Sequence, residues 1–97
     1  MSTLIVTPLA QEDILAAADW YQSQASGMVQ PFLSQLRQLQ DRIVSMPQIY
    51  QERMAYIRVA RMQRFPYCLY FRVDADLIVV IALLHERRDP AVWQARL

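Results

Sequence analysis

At Pro47 the spacing of apolar residues changes, and that change limits what the chain can become. Upstream, Val29, Phe32, Leu36, Leu39, Ile43 and Met46 recur at intervals of three and four, which keeps side chains on one face of an α-helix. Downstream, Tyr56–Met62 and Tyr67–Val73 follow the period of two that marks strands. Leu77–Leu84 is apolar throughout. A strand without a polar face must be covered on both sides, so this one belongs in the middle of a sheet.

Smaller signals complete the order. Leu4-Ile5-Val6 reads as a first strand, and Thr7-Pro8 as a helix cap followed by a proline at the first helical position. Ala10, Ile14, Ala17 and Tyr21 then follow at helical spacing, with Glu12 and Asp13 placed near the positive end of the helix dipole. The single glycine, Gly27, is expected to let the chain turn into the second helix. A connection this short makes the two helices an antiparallel hairpin. Pro47 ends the second helix. Asp74-Ala75-Asp76 is a tight turn, and Asp89-Pro90 starts one or two further helical turns. The expected fold class is α+β, in the order β-α-α-β-β-β, with a helical hairpin packed on an antiparallel sheet. Residues 1–97 form one domain, since 97 residues leave no room for two cores.

Composition excludes several classes of function. Apolar residues make up 55% of the chain and charged residues 20%, so the chain is neither disordered nor a metal-stapled mini-domain. The net charge is +1, too little for general coating of nucleic acid. One cysteine, Cys68, and one histidine, His85, provide no ligand spacing for a metal, and a single glycine cannot build a phosphate loop. No metal and no cofactor is expected. The longest apolar run falls far short of the ~20 residues that cross a bilayer, and the opening MSTLIVTPLAQED lacks the parts of a signal peptide. A cytoplasmic protein with no membrane partner is expected.

Charge is unevenly placed. All ten basic residues are arginine, and eight of them lie in residues 52–97. Arg58, Arg61, Arg64, Arg72, Arg87 and Arg88 either converge on one surface of the strands or, by the opposite parity of Arg58 and Arg61, stand apart as solvated charges. His85 sits where the apolar strand meets the polar tail, a place suited to a general acid or base and equally to a structural hydrogen bond. Cys68, mid-strand, reads as a small buried hydrophobe.

The stretch RFPYCLYFRVDADLIVVIALLHERRDPAVWQARL, with Ala10-Gln11-Glu12-Asp13-Ile14, Trp20-Tyr21 and the Phe32–Met46 helix before it, resembles the ParE branch of the RelE/ParE toxin superfamily over nearly the whole chain. The resemblance implies the toxin of a type II toxin–antitoxin pair, neutralised by a cognate antitoxin that is ParD-like or similar. It implies one of two targets. ParE-like members poison DNA gyrase without catalytic residues of their own. RelE-like members cut messenger RNA on the ribosome without metal.

For a nuclease, His85 aligns with a catalytic histidine of some members, and Arg61, Arg64 or Arg72 would hold the phosphate. No tyrosine follows Tyr70, however, Glu86 follows the histidine, and a charge of +1 is thin for docking on ribosomal RNA. The gyrase reading is preferred. The alternatives are the ribosome-dependent endoribonuclease and a non-toxic member that only binds its partner as a co-repressor. Under the preferred reading Arg87, Arg88 and Trp93 form the target-binding surface, with Trp93 an aromatic anchor. The antitoxin is expected over the hairpin and adjacent sheet, on Trp20, Leu33, Tyr50 and Arg58.

Overall fold

A computed structural model describes residues 3–97; Met1 and Ser2 of the expected domain lie outside them. Strand β1 spans Thr3–Val6 and leads into helix α1, Pro8–Gln24. The Thr7 hydroxyl caps α1 by accepting the Ala10 N–H at 3.3 Å, and Pro8 stands in its first turn, where a missing N–H costs nothing. Glu12 and Asp13 lie beyond that first turn, which holds no acid. They are therefore not the dipole partners the sequence suggested.

Helix α2 spans Val29–Ser45 and buries Phe32, Leu36, Leu39 and Ile43, the body of the apolar stripe. The stripe's last member, Met46, is half exposed and sits past the helix with φ −144°. A residue before proline is pushed out of the helical region, so Pro47 ends the helix one position early. Gly27 lies in a single 3₁₀ turn, Ser26–Met28, and does not take a positive φ. An added Cβ there meets nothing within 4 Å. The turn does not require glycine, so Gly27→Ala should raise stability by about 0.4–1 kcal/mol by restricting the unfolded chain, read as a shifted urea midpoint at unchanged slope.

The remaining strands are β2 (Gln51–Glu52), β3 (Arg58–Arg61), β4 (Tyr67–Asp74) and β5 (Leu77–His85), followed by a short helix α3, Ala91–Gln94. The sheet order is β1-β5-β4-β3-β2. Strands β3, β4 and β5 form the expected antiparallel meander, and two features extend it. Strand β1 joins parallel to β5, from Thr3 opposite Leu77 to Val6 opposite Val80, and β2 adds two residues to the far edge. The result is a mixed five-stranded sheet with helices packed on it.

Strand β5 is buried from Ile78 to Leu84 because both faces are covered. Ile78, Val80 and Leu83 pack with Phe32, Leu36 and Leu39 in the core beneath the helices. Val79, Ile81, Ala82 and Leu84 pack on the other face with Ile57 and Trp93. Strict alternation would send Ala82 to the helix side. Pairing instead skips Ile81, since Tyr70 opposes Ala82 and Phe71 opposes Val80. This β-bulge turns two consecutive residues to one face and reverses the parity of everything after them. The far face is thus closed by the C-terminal strap, residues 91–97.

Candidate functional site: an arginine-lined cleft

On the strap side of the sheet, where α3 leaves the β3–β4 end uncovered, there is a cleft of about 570 Å³. Val59 of β3 and Cys68 and Tyr70 of β4 make its floor. Arg53 and Met54, before the β2–β3 turn, make one wall; Arg88, Pro90, Trp93 and Gln94 make the other. Arg61 and Glu86 complete the lining and bond to each other, with Arg61 Nη2 2.9 Å from Glu86 Oε2. The Arg61 guanidinium also donates to the Met62 carbonyl at 3.2 Å. Of the six arginines singled out in the sequence, only Arg61 and Arg88 meet here, joined by Arg53; Arg58, Arg64, Arg72 and Arg87 do not line the cleft.

The β2–β3 turn beside the cleft is strained. Ala55 and Tyr56 take φ of 52° and 65°, and Ile57 N–H donates to the Met54 carbonyl at 2.9 Å. Two consecutive positive φ values suit Asn-Gly, not Ala-Tyr. The turn holds Tyr56 79% exposed at its tip.

The other expected site residues are dispersed. His85 is half-buried on the helix side, its ring edge-on to Tyr67 at 5.6 Å and beside Trp20 and Tyr21. Its Nδ1 accepts the Arg87 N–H at 3.1 Å. Arg72 lies towards the opposite end of the strap face, bonded to Asp74 at 2.9 Å and near Arg96. Arg64 sits in the β3–β4 turn with φ 70° and its guanidinium 5.8 Å from the Phe65 ring centre. The four residues named for a nuclease, His85, Arg61, Arg64 and Arg72, are thus not assembled. Strand parity and the β5 bulge put the imidazole and Arg61 on opposite faces of the sheet.

Arg87 and Arg88 are exposed, but Trp93 is not. Trp93 is only 5% exposed and stacks on Tyr70 at 5.2 Å, so it is a core plug of the strap and not a surface anchor. Trp20 is 54% and Leu33 36% exposed. Tyr50 is half-buried against Phe71, and its hydroxyl is buried without a hydrogen-bond partner among the described residues. Arg58 lies across the sheet from Arg61, donates to the Tyr50 carbonyl at 2.7 Å and reaches Glu52 at 3.9 Å. Tyr50 and Arg58 are therefore committed within the fold, leaving Trp20 and Leu33 as the open members of that set.

Two features were missed in the sequence. Arg53 enters the cleft because of the short β2 strand. Asp13 reaches around the end of β1, where β5 loses its neighbour. There its carboxylate accepts the Leu83 N–H at 3.0 Å and takes a two-pronged bond from Arg96, whose second arm measures 3.1 Å. Arg96 also donates to the Ile81 carbonyl at 2.9 Å. The hydrogen bond to Asp13 raises the already high Arg96 pKa further, against the cost of burial. The available signal was an acid at i+3 from Ala10, inside the apolar stripe of α1.

Burial raises the pKa of the Cys68 thiol; Arg61 and Arg53 oppose the shift and Glu86 adds to it. This favours an unreactive thiol. Burial likewise raises the phenols of Tyr21, Tyr67 and Tyr70 above their ordinary 10.0. The unfolded chain therefore loses these protons at lower pH than the folded chain does. Stability is fully present below the unfolded values and should fall as pH rises past about 9 and onward through the folded values. Urea midpoints between pH 7 and 10.5 read this directly, and a midpoint that rises over that range would contradict the assignment.

A family model described as "ParE toxin of type II toxin-antitoxin system, parDE" matches residues 4–90. Among solved structures, the fold is similar to a chain of the "Chromosomal ParDE TA system from P. aeruginosa", with a TM-score of 0.67 and 19% sequence identity. That likeness covers 88% of this chain and 96% of the other. No curated protein matches the sequence. Among the described residues, no helix is long and apolar enough to cross a membrane, and no group of three or more His, Cys, Asp or Glu side chains is placed to hold a metal.

Proposed function

The chain belongs to the ParE toxin family of type II toxin–antitoxin systems, and we propose that it poisons DNA gyrase by occupying a surface of it in the cytoplasm, without catalysis of its own. One observation carries the choice of target. The lone imidazole, His85, faces the helix side, where Arg88 lines the same pocket, while Arg61 lies on the other face and Arg64 and Arg72 stand away from both. Metal-free cleavage of RNA needs a proton carrier and cations at one phosphate, within hydrogen-bond reach. What the fold offers instead is exposed arginine, Arg87 and Arg88 at the end of β5, beside a walled cleft.

The cognate antitoxin completes the pair. Trp20 and Leu33 are large apolar side chains left open on the helices, the type of residue an obligate partner covers. Inducing the chain in bacteria tests the reading. DNA damage and altered supercoiling should come before any fall in bulk translation, and His85→Gln should inhibit growth as wild type does. Translation stopping first, with messages cut within codons and His85→Gln inert, would establish the nuclease instead. A chain that never slows growth, with or without its antitoxin, would be a partner-binding co-repressor.

A further inference from the structure

We infer that Tyr56, at the tip of the β2–β3 turn, is a stacking platform for an unpaired DNA base. Arg53 and Arg88 take the phosphates beside that base. The choice of DNA over RNA rests on the gyrase reading above; the stacking site itself stands on the geometry of the turn.

The backbone is the first argument. Ala55 and Tyr56 sit at φ 52° and 65°, in the left-handed region that glycine and asparagine enter at least cost. A closed turn holds them there. Ile57 N–H donates to the Met54 carbonyl at 2.9 Å, and Arg53 N–H donates to the Ile57 carbonyl at 2.7 Å. The fold gains little packing in return. Tyr56 is 79% exposed, the highest value among the large apolar side chains described. No other ring packs on it among the described residues. Strain held without packing is a mark of a side chain kept for a partner.

Charge is the second argument. The turn continues into the wall of the cleft, where Arg53 stands opposite Arg88. Among the described residues no acid lies within ion-pair reach of either. Glu86, the one acid of the cleft, is engaged by Arg61 at 2.9 Å. Two unmatched guanidinium forks therefore flank the ring, and such forks suit phosphate. An open aromatic face beside free arginine is the combination that holds unpaired strands. Intact duplex keeps its bases stacked on one another and offers the ring nothing. A net charge of +1 also provides little general attraction to a duplex, so selection falls on opened DNA. An enzyme that cuts and rejoins DNA exposes base faces at the break, and a ring stacked there stands in the way of rejoining.

Fluorescence anisotropy on the full chain tests this with three labelled probes. They are a DNA duplex carrying a gap of unpaired bases, the same duplex without the gap, and the gapped form built from RNA. Gapped DNA should bind about tenfold tighter than intact duplex, the size of one stacked base. Tyr56→Phe keeps the ring and should bind as wild type does. Tyr56→Leu and Tyr56→Gly should each bind gapped DNA about tenfold more weakly. Tyr56→Gly should also unfold at higher urea, because glycine relieves the turn, so its loss of binding is not a loss of fold. Arg53→Gln should weaken both DNA probes and flatten their salt dependence. Equal binding of gapped and intact duplex, a Tyr56→Leu chain that binds as wild type does, or tighter binding of the RNA would each overturn the site. Gyrase is assayed separately. A chain that prefers gapped DNA through Tyr56 but leaves supercoiling unimpaired supports the site and removes the gyrase reading. Cleaved DNA that accumulates on gyrase equally with Tyr56→Gly keeps the gyrase reading and overturns the site.

Discussion

Replacing Trp93 by alanine should destabilise the chain by about 3–5 kcal/mol, the usual cost of emptying a large aromatic site in a core. The indole is 5% exposed and belongs to the cluster formed by Ile57, Val79, Ile81, Ala82 and Leu84. It is also the main apolar side chain through which a four-residue helix, α3, is held on the sheet. Without it the strap loses its anchor, and Val79, Ile81 and Leu84 face water. The loss is read from urea unfolding, with Leu97→Ala, a change at an exposed end of the same strap, expected within about 0.5 kcal/mol of wild type. In a Trp20→Phe background Trp93 is the only indole, so its fluorescence reports docking of the strap directly. A Trp93→Ala protein as stable as wild type would mean that residues 91–97 add nothing to the core.

Asp13→Ala should cost about 2–4 kcal/mol, discounted from the cost of breaking a fully buried pair because both side chains keep some contact with water. Two groups lose their partner at once. The Arg96 guanidinium is left near the Ile81 carbonyl with its charge unmatched, and the Leu83 N–H is left without an acceptor. Asp13→Asn separates the two effects. Its amide oxygen still serves one N–H, so it should lose distinctly less than Asp13→Ala if the backbone bond matters. Equal losses would assign the whole effect to the charge pair. The pair joins α1 to the strap across the open end of β5, so either substitution should also loosen Trp93. Raised hydrogen exchange at Val92 and Trp93 would register that coupling.

Much of this fold can be read from local pattern. Thr7-Pro8, the α2 stripe and the apolar run of β5 each follow from spacing and backbone sterics, and each is found where expected. Asp89 likewise opens α3, its carboxylate accepting the Ala91 N–H at 2.9 Å. What escapes local reading depends on register. The parallel union of β1 with β5 joins segments more than seventy residues apart, and no short motif announces it. The bulge at Ile81 reverses parity for Leu83, Leu84 and His85, and so decides which side the imidazole takes.

The same dependence explains the site. Arginine convergence was visible only as an open choice, and its outcome includes Arg53, which a two-residue strand puts in place. Trp93 illustrates a different ambiguity. An aromatic residue in a polar tail fits an exposed anchor or a core plug equally well, until the apolar outer face of β5 is seen to need a cover.

We propose that the chain acts on gyrase by binding. The most direct test adds the purified chain to DNA gyrase with relaxed plasmid and ATP. Loss of supercoiling with accumulation of cleaved DNA on the enzyme is expected, at equal strength for wild type and His85→Gln, and reversed by the antitoxin. Unimpaired supercoiling, together with message cleavage on ribosomes that His85→Gln abolishes, would contradict it.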